Sequence, residues 1–586
     1  MTRFDRRLLF GFSASLATLW VVIFAWVRLP APPPPLPAPT RAAVLAALRA
    51  HLEGRAAAPL PATQGLDRPA HLPVFVTVYV DGRVAVRRQA TGPTLAAALQ
   101  AAAPPALPTA EAARARVKVD LVTARGPVPW RSTFLFGFAV APGVDGLVLD
   151  FGGRTEWFLP DDLVENELLT GLAPFAFMEF EFGLAVPNLT RLAALRMAAS
   201  REGWSATDKR WQRFRTEAFV EPAAGVPDRS AALAVFRANT PAPALNRTAL
   251  RAAAIAGGRY LLDKLHPDGS FLYQYDTFTD RSSSADYSLP RHFGAAMYLA
   301  QLGRYTHDPA FREGARRAFG YFEPHAQEVM DETGSAALAV LALTEYRLAE
   351  DNRYDATLRR LGDFLLGMQR PGGDFDHLVY DRPVKLMYYD GEAAFALTRL
   401  AQAFGEPRYQ EAARRALDWL THDAYDHFAG GFYFGEDHWT CMAAEAAYPL
   451  IDSAQYARFC DHYAAFLRRT QFQESEGPDD FTGAYGFTPF FPPHSTPAAS
   501  RTEAMISAYV LGRRRGHPVE ATRRQVVRSL RYLLAQQIRS ENSYLMANPA
   551  RALGGWMQSP LRRFVRIDFV QHAGDALLRG QDLVPE

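Results

Sequence analysis

The chain has 586 residues, with 64 lysines and arginines against 62 aspartates and glutamates and a formal net charge of +2, a balance that gives no argument for nucleic acid or an acidic partner. Two cysteines, Cys441 and Cys460, exclude a disulfide-built fold. The length exceeds one ordinary core, and the arginine-for-lysine and alanine-rich usage reads as that of a GC-rich bacterial genome.

In chain order, residues 1–7 bring Arg3, Arg6 and Arg7, and Leu8 to Val27 follows without a charge. That matches the ~20 residues a helix needs to cross a bilayer, so residues 8–28 are predicted as a transmembrane helix or uncleaved signal anchor. Arginines before the span and only Arg28 close after it place the N-terminus in the cytoplasm and the rest outside, in a bacterium the periplasm. A cleavable signal peptide, the rival reading, would have a shorter apolar region and a small-x-small site. Here Pro30 to Pro39 comes next, and residues 29–40 read as a semi-rigid spacer.

Residues 41–240 have the texture of an α+β domain. Val74 to Val80, the Asp81-Gly82 turn and Val84 to Val86 predict a β-hairpin. Thr94 to Ala103 predicts a helix, and Val117 to Val122 and Gly146 to Phe151 predict strands. The run from Val74 through Pro142-Gly143-Val144-Asp145-Gly146-Leu147 to Phe158-Leu159-Pro160 resembles the fold of the AMMECR family. Arg83-Val84-Ala85-Val86-Arg87 stands where that family's glycine-cysteine signature would be, so no residue's role carries over.

Residues 241–586 repeat one unit six times: an amphipathic helix, a glycine-aromatic loop, then a nearly all-apolar helix opening on charged residues. With Arg291, Glu332, Glu392, Glu445, Glu503 and Asp568 as markers, the intervals are 41, 60, 53, 58 and 65 residues, and such internal repeats decide a fold. Arg408 to Leu420 has one apolar stripe and reads as a surface helix. Ser335 to Leu343 and Ala393 to Leu400 are apolar nearly all round and read as interior. Six outer and six inner helices in alternation predict an (α/α)6 toroid. An open solenoid, which would need only one buried stripe per helix, is the alternative. In a toroid the inner helices run in one direction, so their N-termini and unpaired N–H groups meet at one mouth.

The ring resembles the six-hairpin glycosidase-like superfamily of glycoside hydrolases, unsaturated uronyl hydrolases and sugar epimerases. That resemblance implies a carbohydrate ligand, here a polysaccharide or envelope glycan, and fixes no reaction. Paired carboxylates suit glycosidic hydrolysis, and the candidate catalytic acids are Glu392 and Glu503, then Asp390 and Asp568. Arg291, His292, Glu332, Tyr389, Arg501, Arg566, His572 and Trp439 are the candidate substrate-binding residues, since arginine forks take carboxylates and aromatic faces suit sugar rings. Each acid could equally cap its own helix, and each aromatic could pack beneath the rim.

Asp568 and His572, four apart on one helix face, could form a proton shuttle. His438, Cys441, Cys460 and His462 have zinc-like residue types, but two buried small apolar cysteines are the simpler reading, and no metal or cofactor is expected. The leading expectation is a membrane-anchored periplasmic glycoside hydrolase. A sugar epimerase, using His292 with His572 or tyrosines, is the second. The third is a non-catalytic scaffold whose 41–240 domain meets an envelope protein partner.

Overall fold

The computed structural model describes residues 29–586 apart from 56–59, 61–64, 129–139, 142, 152–153, 166–209, 224–230, 286, 350–351, 379–387, 426–432, 434–436, 475–478 and 487–492. The predicted span 8–28 lies outside the described residues, among which no helix is long and apolar enough to cross a membrane. Two compact units divide the chain: Met1–Pro241 with Ser540–Ala547, and Ala242–Arg539 with Asn548–Glu586.

The first unit opens with α1 (Ala38–Leu52), followed by β1 (Ala70–Val80) and β2 (Arg83–Gly92). Asp81 and Gly82 both have positive φ, 49° and 74°, as a two-residue turn between right-twisted strands requires. Thr94 caps α2 (Leu95–Ala101) through a bond from the Ala97 N–H. After α3 (Thr109–Arg114) come β3 (Ala115–Pro127), β4 (Asp145–Phe151), β5 (Arg154–Phe158), α4 (Pro160–Glu165), β6 (Arg210–Val220) and β7 (Leu233–Val235). The sheet is antiparallel in the order β2-β1-β3-β6-β4-β5, with β7 on β6. Val44, Leu45, Leu48 and Leu52 of α1 close one core with Val76, Val78, Val117 and Val119. The octapeptide 540–547 belongs to this unit although its neighbours in sequence do not: Arg116 Nη1 donates to the Ser540 carbonyl at 2.9 Å and the Tyr544 hydroxyl to Asp161 at 2.6 Å.

The second unit alternates outer and inner helices. They run α5 (Arg247–Asp263), α6 (Leu289–Thr306), α7 (Pro309–Phe319), α8 (Thr333–Ala349), α9 (Asp355–Met368), α10 (Tyr388–Phe404), α11 (Pro407–His422) and α12 (Trp439–Ala447). They continue with α13 (Ala454–Thr470), α14 (Ser495–Arg514), α15 (Glu520–Gln536) and α16 (Ile567–Gly580). The even-numbered helices each pack on the next, and α16 packs back on α6, which closes the ring. Their composition explains the arrangement: Ala336 through Leu343 of α8 are all buried, whereas α11 buries Tyr409, Ala412, Ala413, Ala416, Leu417 and Leu420 on one side. Closure is reinforced by a small antiparallel sheet in which β10 (Phe564–Arg566), at the start of α16, pairs β8 (Gln274–Asp276), and β8 pairs β9 (Arg281–Ser283).

The glycine-aromatic loops are a structural repeat in their own right. Leu265 bridges Phe271, Gln369 bridges Phe375, Gln471 bridges Tyr485 and Gln537 bridges Trp556. In the last three the glutamine Nε2 donates both to the loop glycine carbonyl and to a carbonyl of the neighbouring outer helix: Gly373 and Ala412, Gly483 and Gln525, Gly554 and Ala253. Gly483 has φ +91°, and a Cβ there would collide with the Arg528 carbonyl, so only glycine lets the loop lie on α15. Phe271, Phe375, Tyr485 and Trp556 are at most 2 % exposed. These four aromatics are the seams between successive helical repeats.

Candidate functional site

The inner-helix starts do gather titratable side chains, but at unequal depths. α14 begins at Ser495, several residues before the Ser500 that marks its charged opening in the sequence, because Pro497 fits a first helical turn. Glu503 therefore stands two turns inside the ring with no solvent exposure. Its Oε2 lies 2.7 Å from Nδ1 of His572, in the second turn of α16. His438, immediately before α12, sets its ring 5.3 Å from that of His572 at an interplanar angle of 80°. Asp437 holds this helix start, accepting from Thr440 Oγ1 at 2.7 Å and from the Tyr425 hydroxyl at 2.8 Å. The Trp439 ring is 5.9 Å from His572, and the Trp439 side chain hydrogen-bonds Glu392. Glu392, Trp439, His438, His572 and Glu503, from four different inner helices, thus form one continuous buried cluster.

Burial governs the acids of this cluster. It lifts the Glu503 carboxyl to about 7 against the hydrogen bond with Asp575 and the positive charge of Arg579. It lifts Glu392 well above the ordinary carboxylate range, and the charge of Glu332 adds to the effect. Asp575, one turn past His572, is raised as well, first by burial and then by Glu503. These are groups kept short of counter-charge, the condition under which carboxyls hold protons near neutrality.

Other expected site residues have different work. Asp568, expected among the catalytic acids, is paired: both its oxygens accept from Arg566, at 2.5 and 2.9 Å, and Arg291 Nε lies 3.6 Å away. Burial would raise it, but the two guanidiniums win and hold it below its usual value. The carboxylate bonded to His572 is Glu503, while His572 acts on Asp568 through its charge. Asp390 accepts the Phe375 N–H at 2.8 Å and fastens the loop before α10. His292 is a core histidine, with Nδ1 2.8 Å from the Tyr287 hydroxyl and Nε2 3.0 Å from the Ala318 carbonyl. Burial lowers it to about 4, which favours the neutral imidazole.

Arg501, 4 % exposed, lies over the Tyr485 ring. Arg291 donates to the Tyr273 hydroxyl at 2.7 Å and is the partly open member of its cluster. Glu332 accepts from Ser335 at 2.5 Å and sits 3.8 Å from His377 Nε2, and Tyr389 stacks on the His377 ring at 4.7 Å. Glu445 is not at the mouth: it stands near the C-terminal end of α12 and pairs Arg579 at 2.7 Å. Tyr380, Phe432, Phe434, Phe487, Phe490 and Phe491 lie outside the described residues.

Cys441 and Cys460 form a disulfide with Cα atoms 5.7 Å apart, which corrects their reading as packed thiols and removes both thiolates from any zinc set. A different constellation has metal-ligand character. His438, Glu503 and His572 offer ligand atoms within 4.8 Å of one another, the two-histidine, one-carboxylate composition of open zinc sites. In the present arrangement His572 Nδ1 and Glu503 Oε2 are spent on each other. Asp575 was missed in the sequence, and His438 was weighed there only as a zinc-type ligand beside Cys441, Cys460 and His462.

No family model matches the sequence, and no curated protein matches it. Solved structures similar to this chain include the following three. An unsaturated glucuronyl hydrolase specific for heparin is 12% identical, over 57% of this chain and 98% of its own, with a TM-score of 0.45. A D-mannose isomerase is 12% identical, over 58% and 99%, with a TM-score of 0.46. The cellobiose 2-epimerase of Spirochaeta thermophila is 15% identical, over 58% and 96%, with a TM-score of 0.43.

Proposed function

We propose that the chain is a carbohydrate-active enzyme that moves a proton at a sugar carbon, as an epimerase or isomerase does, with His438 and His572 as its acid and base. The observation that carries this reading is the pair of imidazoles 5.3 Å apart, one of them held by a fully buried carboxylate. Removing a hydrogen beside a carbonyl and returning one elsewhere needs two groups that exchange protons near neutrality, and histidine does this best. In this reading His572 would exchange protons through its ring while Glu503, bonded to its Nδ1, steadies the imidazolium that forms. His438 supplies or takes the second proton. The sugar substrate rests on the resemblance of the repeat to the six-hairpin superfamily.

Glycoside hydrolysis is the second reading, favoured by one observation: Glu392 is held toward its protonated form beside the Glu332 carboxylate, as an acid and its partner must be. Glu503, expected as that partner, is enclosed and bonded to His572, so Glu332 would take the place. The test is proton NMR of the full chain with a panel of reducing sugars and uronates in heavy water. Loss of one C–H resonance, abolished in His438→Gln and His572→Gln but kept in Glu392→Gln, supports proton transfer. Shortened chains without deuterium overturn it in favour of hydrolysis, and no change in any sugar defeats both.

We further propose a periplasmic location, anchored through residues 8–28 in the inner membrane, with the 41–240 segment available to an envelope partner. The Cys441–Cys460 disulfide supports an oxidising compartment. Protease added to spheroplasts should cut the ring from outside; full protection would refute this placement.

A further inference from the structure

His438, Glu503 and His572 reach one point of the ring from three inner helices. His438 stands just before α12, Glu503 two turns inside α14 and His572 in the second turn of α16, and one ligand atom from each lies within 4.8 Å of the other two. All three residues are buried. The spacings are those of a tetrahedral metal site. Two imidazoles bound to one zinc ion at ~2.0–2.1 Å hold their ring centres roughly 5 Å apart, and the rings of His438 and His572 are 5.3 Å apart. Ligand atoms of such an ion lie about 3.3 Å from each other, so the 2.7 Å between His572 Nδ1 and Glu503 Oε2 has only to open by roughly half an ångström. The donor types agree, since imidazole nitrogen suits zinc and its neighbours whereas calcium and magnesium take oxygen. No lysine or arginine is bonded to Glu503 in the described contacts, and a divalent cation supplies the counter-charge that a buried carboxylate needs. Asp575, 1 % exposed, lies against Glu503, as an outer partner that steadies a metal-bound carboxylate does. Trp439, its ring 5.9 Å from that of His572, walls one side.

We propose that His438, Glu503 and His572 form a zinc(II) site, and that the bound ion reversibly blocks proton transfer at the mouth of the ring. The ion takes one nitrogen from each imidazole and one Glu503 oxygen, and three protein ligands leave its fourth position to water or a small ligand. The proton that His572 and Glu503 share leaves to water as the ion enters, and no electrons move. A ring nitrogen that holds zinc carries no proton, so an occupied site has no imidazole pair with which to take a hydrogen from a sugar and return one. The block rests on the proton-transfer reading, and the site itself does not.

The test begins without a substrate. The full chain, freed of metal by dialysis against a chelator, is titrated with zinc and separately with cobalt(II) in competition with a colorimetric chelator. The expected result is zinc binding at this site, visible absorption from cobalt in a tetrahedral field, and zinc binding at least about a hundredfold weaker in His438→Gln, His572→Gln and Glu503→Gln. The surface pairs His422–Asp423 and His517–Asp461 remain in every variant and do not account for that loss. Circular dichroism checks folding, and His438→Ala, at a helix start, serves where a variant of His572 or Glu503 does not fold. Unchanged zinc affinity in the folded His438 variants, or a wild type that binds neither ion, overturns the site and leaves the proton-transfer reading standing. Deuterium uptake into sugar by the metal-free chain should fall as zinc fills the site and return on chelation; uptake that survives full occupancy overturns the block. Zinc binding with no deuterium in any sugar defeats the proton-transfer reading, and the block with it, and leaves the site in place.

Discussion

In the first unit Lys118 has no solvent exposure, and its ammonium donates to both oxygens of Asp120 at 2.7 Å and meets Asp161 at 2.9 Å. Arg87 forks onto Asp162 at 2.8 and 2.9 Å, and the Tyr544 hydroxyl completes Asp161. Burial alone would lower the Lys118 ammonium, yet the carboxylates outweigh it and leave it raised. The toroid buries as many titratable groups, His438, His572, Glu503, Glu392 and Asp575, without a lysine or arginine bonded to the carboxyls of Glu503, Glu392 or Asp575 in the described contacts. A matched cluster fixes its protons and serves the fold. An unmatched one leaves protons free to move, and its cost in stability is the signature of a site.

The largest expected effect lies in the matched cluster. Lys118→Met strands two buried carboxylates and should cost about 3–5 kcal/mol in denaturant unfolding of the first unit, with the turnover of folded protein unaltered. A loss under 1 kcal/mol would mean the cluster is not matched as described. Next, Glu503→Gln should do the opposite in the ring. The folded carboxyl at about 7 exceeds its unfolded value of 4.5, so the unfolded state ionises first as pH rises between them. Stability therefore falls through that window in the wild type, and Glu503→Gln should remove up to about 3 kcal/mol of that fall. Parallel stability curves for the two proteins between pH 4 and 8 would break the contrast.

Third, the Cys441–Cys460 bridge closes a sequence separation of 19, for which loop entropy predicts about 3 kcal/mol. Reduction should lower the melting temperature of the ring and blur the His438 resonances, since Cys441 is one turn past His438. The smallest effect is expected at Asp390→Asn, which weakens one hydrogen bond to the Phe375 N–H. About 1–2 kcal/mol of stability should go, with kcat retained; a collapse of kcat would return Asp390 to the catalytic set.

The ring was legible because its signals are local: an apolar helix read all round, a surface helix read as one stripe, and a glycine-aromatic loop between them. Pairings across helices were not. Spacing on α16 proposed Asp568 for His572, whereas Arg566 and Arg291 claim Asp568 and a carboxylate from α14 reaches the imidazole. The depth of Glu503 was hidden because the Pro-His-Ser-Thr-Pro stretch before it looks like a loop while its second half is helix. The disulfide was missed for a related reason. Cys441 lies as far before the end of α12 as Cys460 lies past the start of α13, so the hairpin turns them face to face, which only the helix boundaries reveal. Glu392 and His572 were read as site residues from their position alone, and the structure joins them through Trp439.

The central claim is that the unmatched cluster of the toroid moves protons on a sugar. The most direct measurement is mass spectrometry of products formed from reducing oligosaccharides in water enriched in both deuterium and oxygen-18, with His572→Gln as control. The account predicts deuterium fixed at carbon, no change in chain length and no oxygen-18 beyond uncatalysed exchange at the reducing end, all lost in the variant. Shorter chains carrying oxygen-18 at a new reducing end, with no deuterium at carbon, would contradict it.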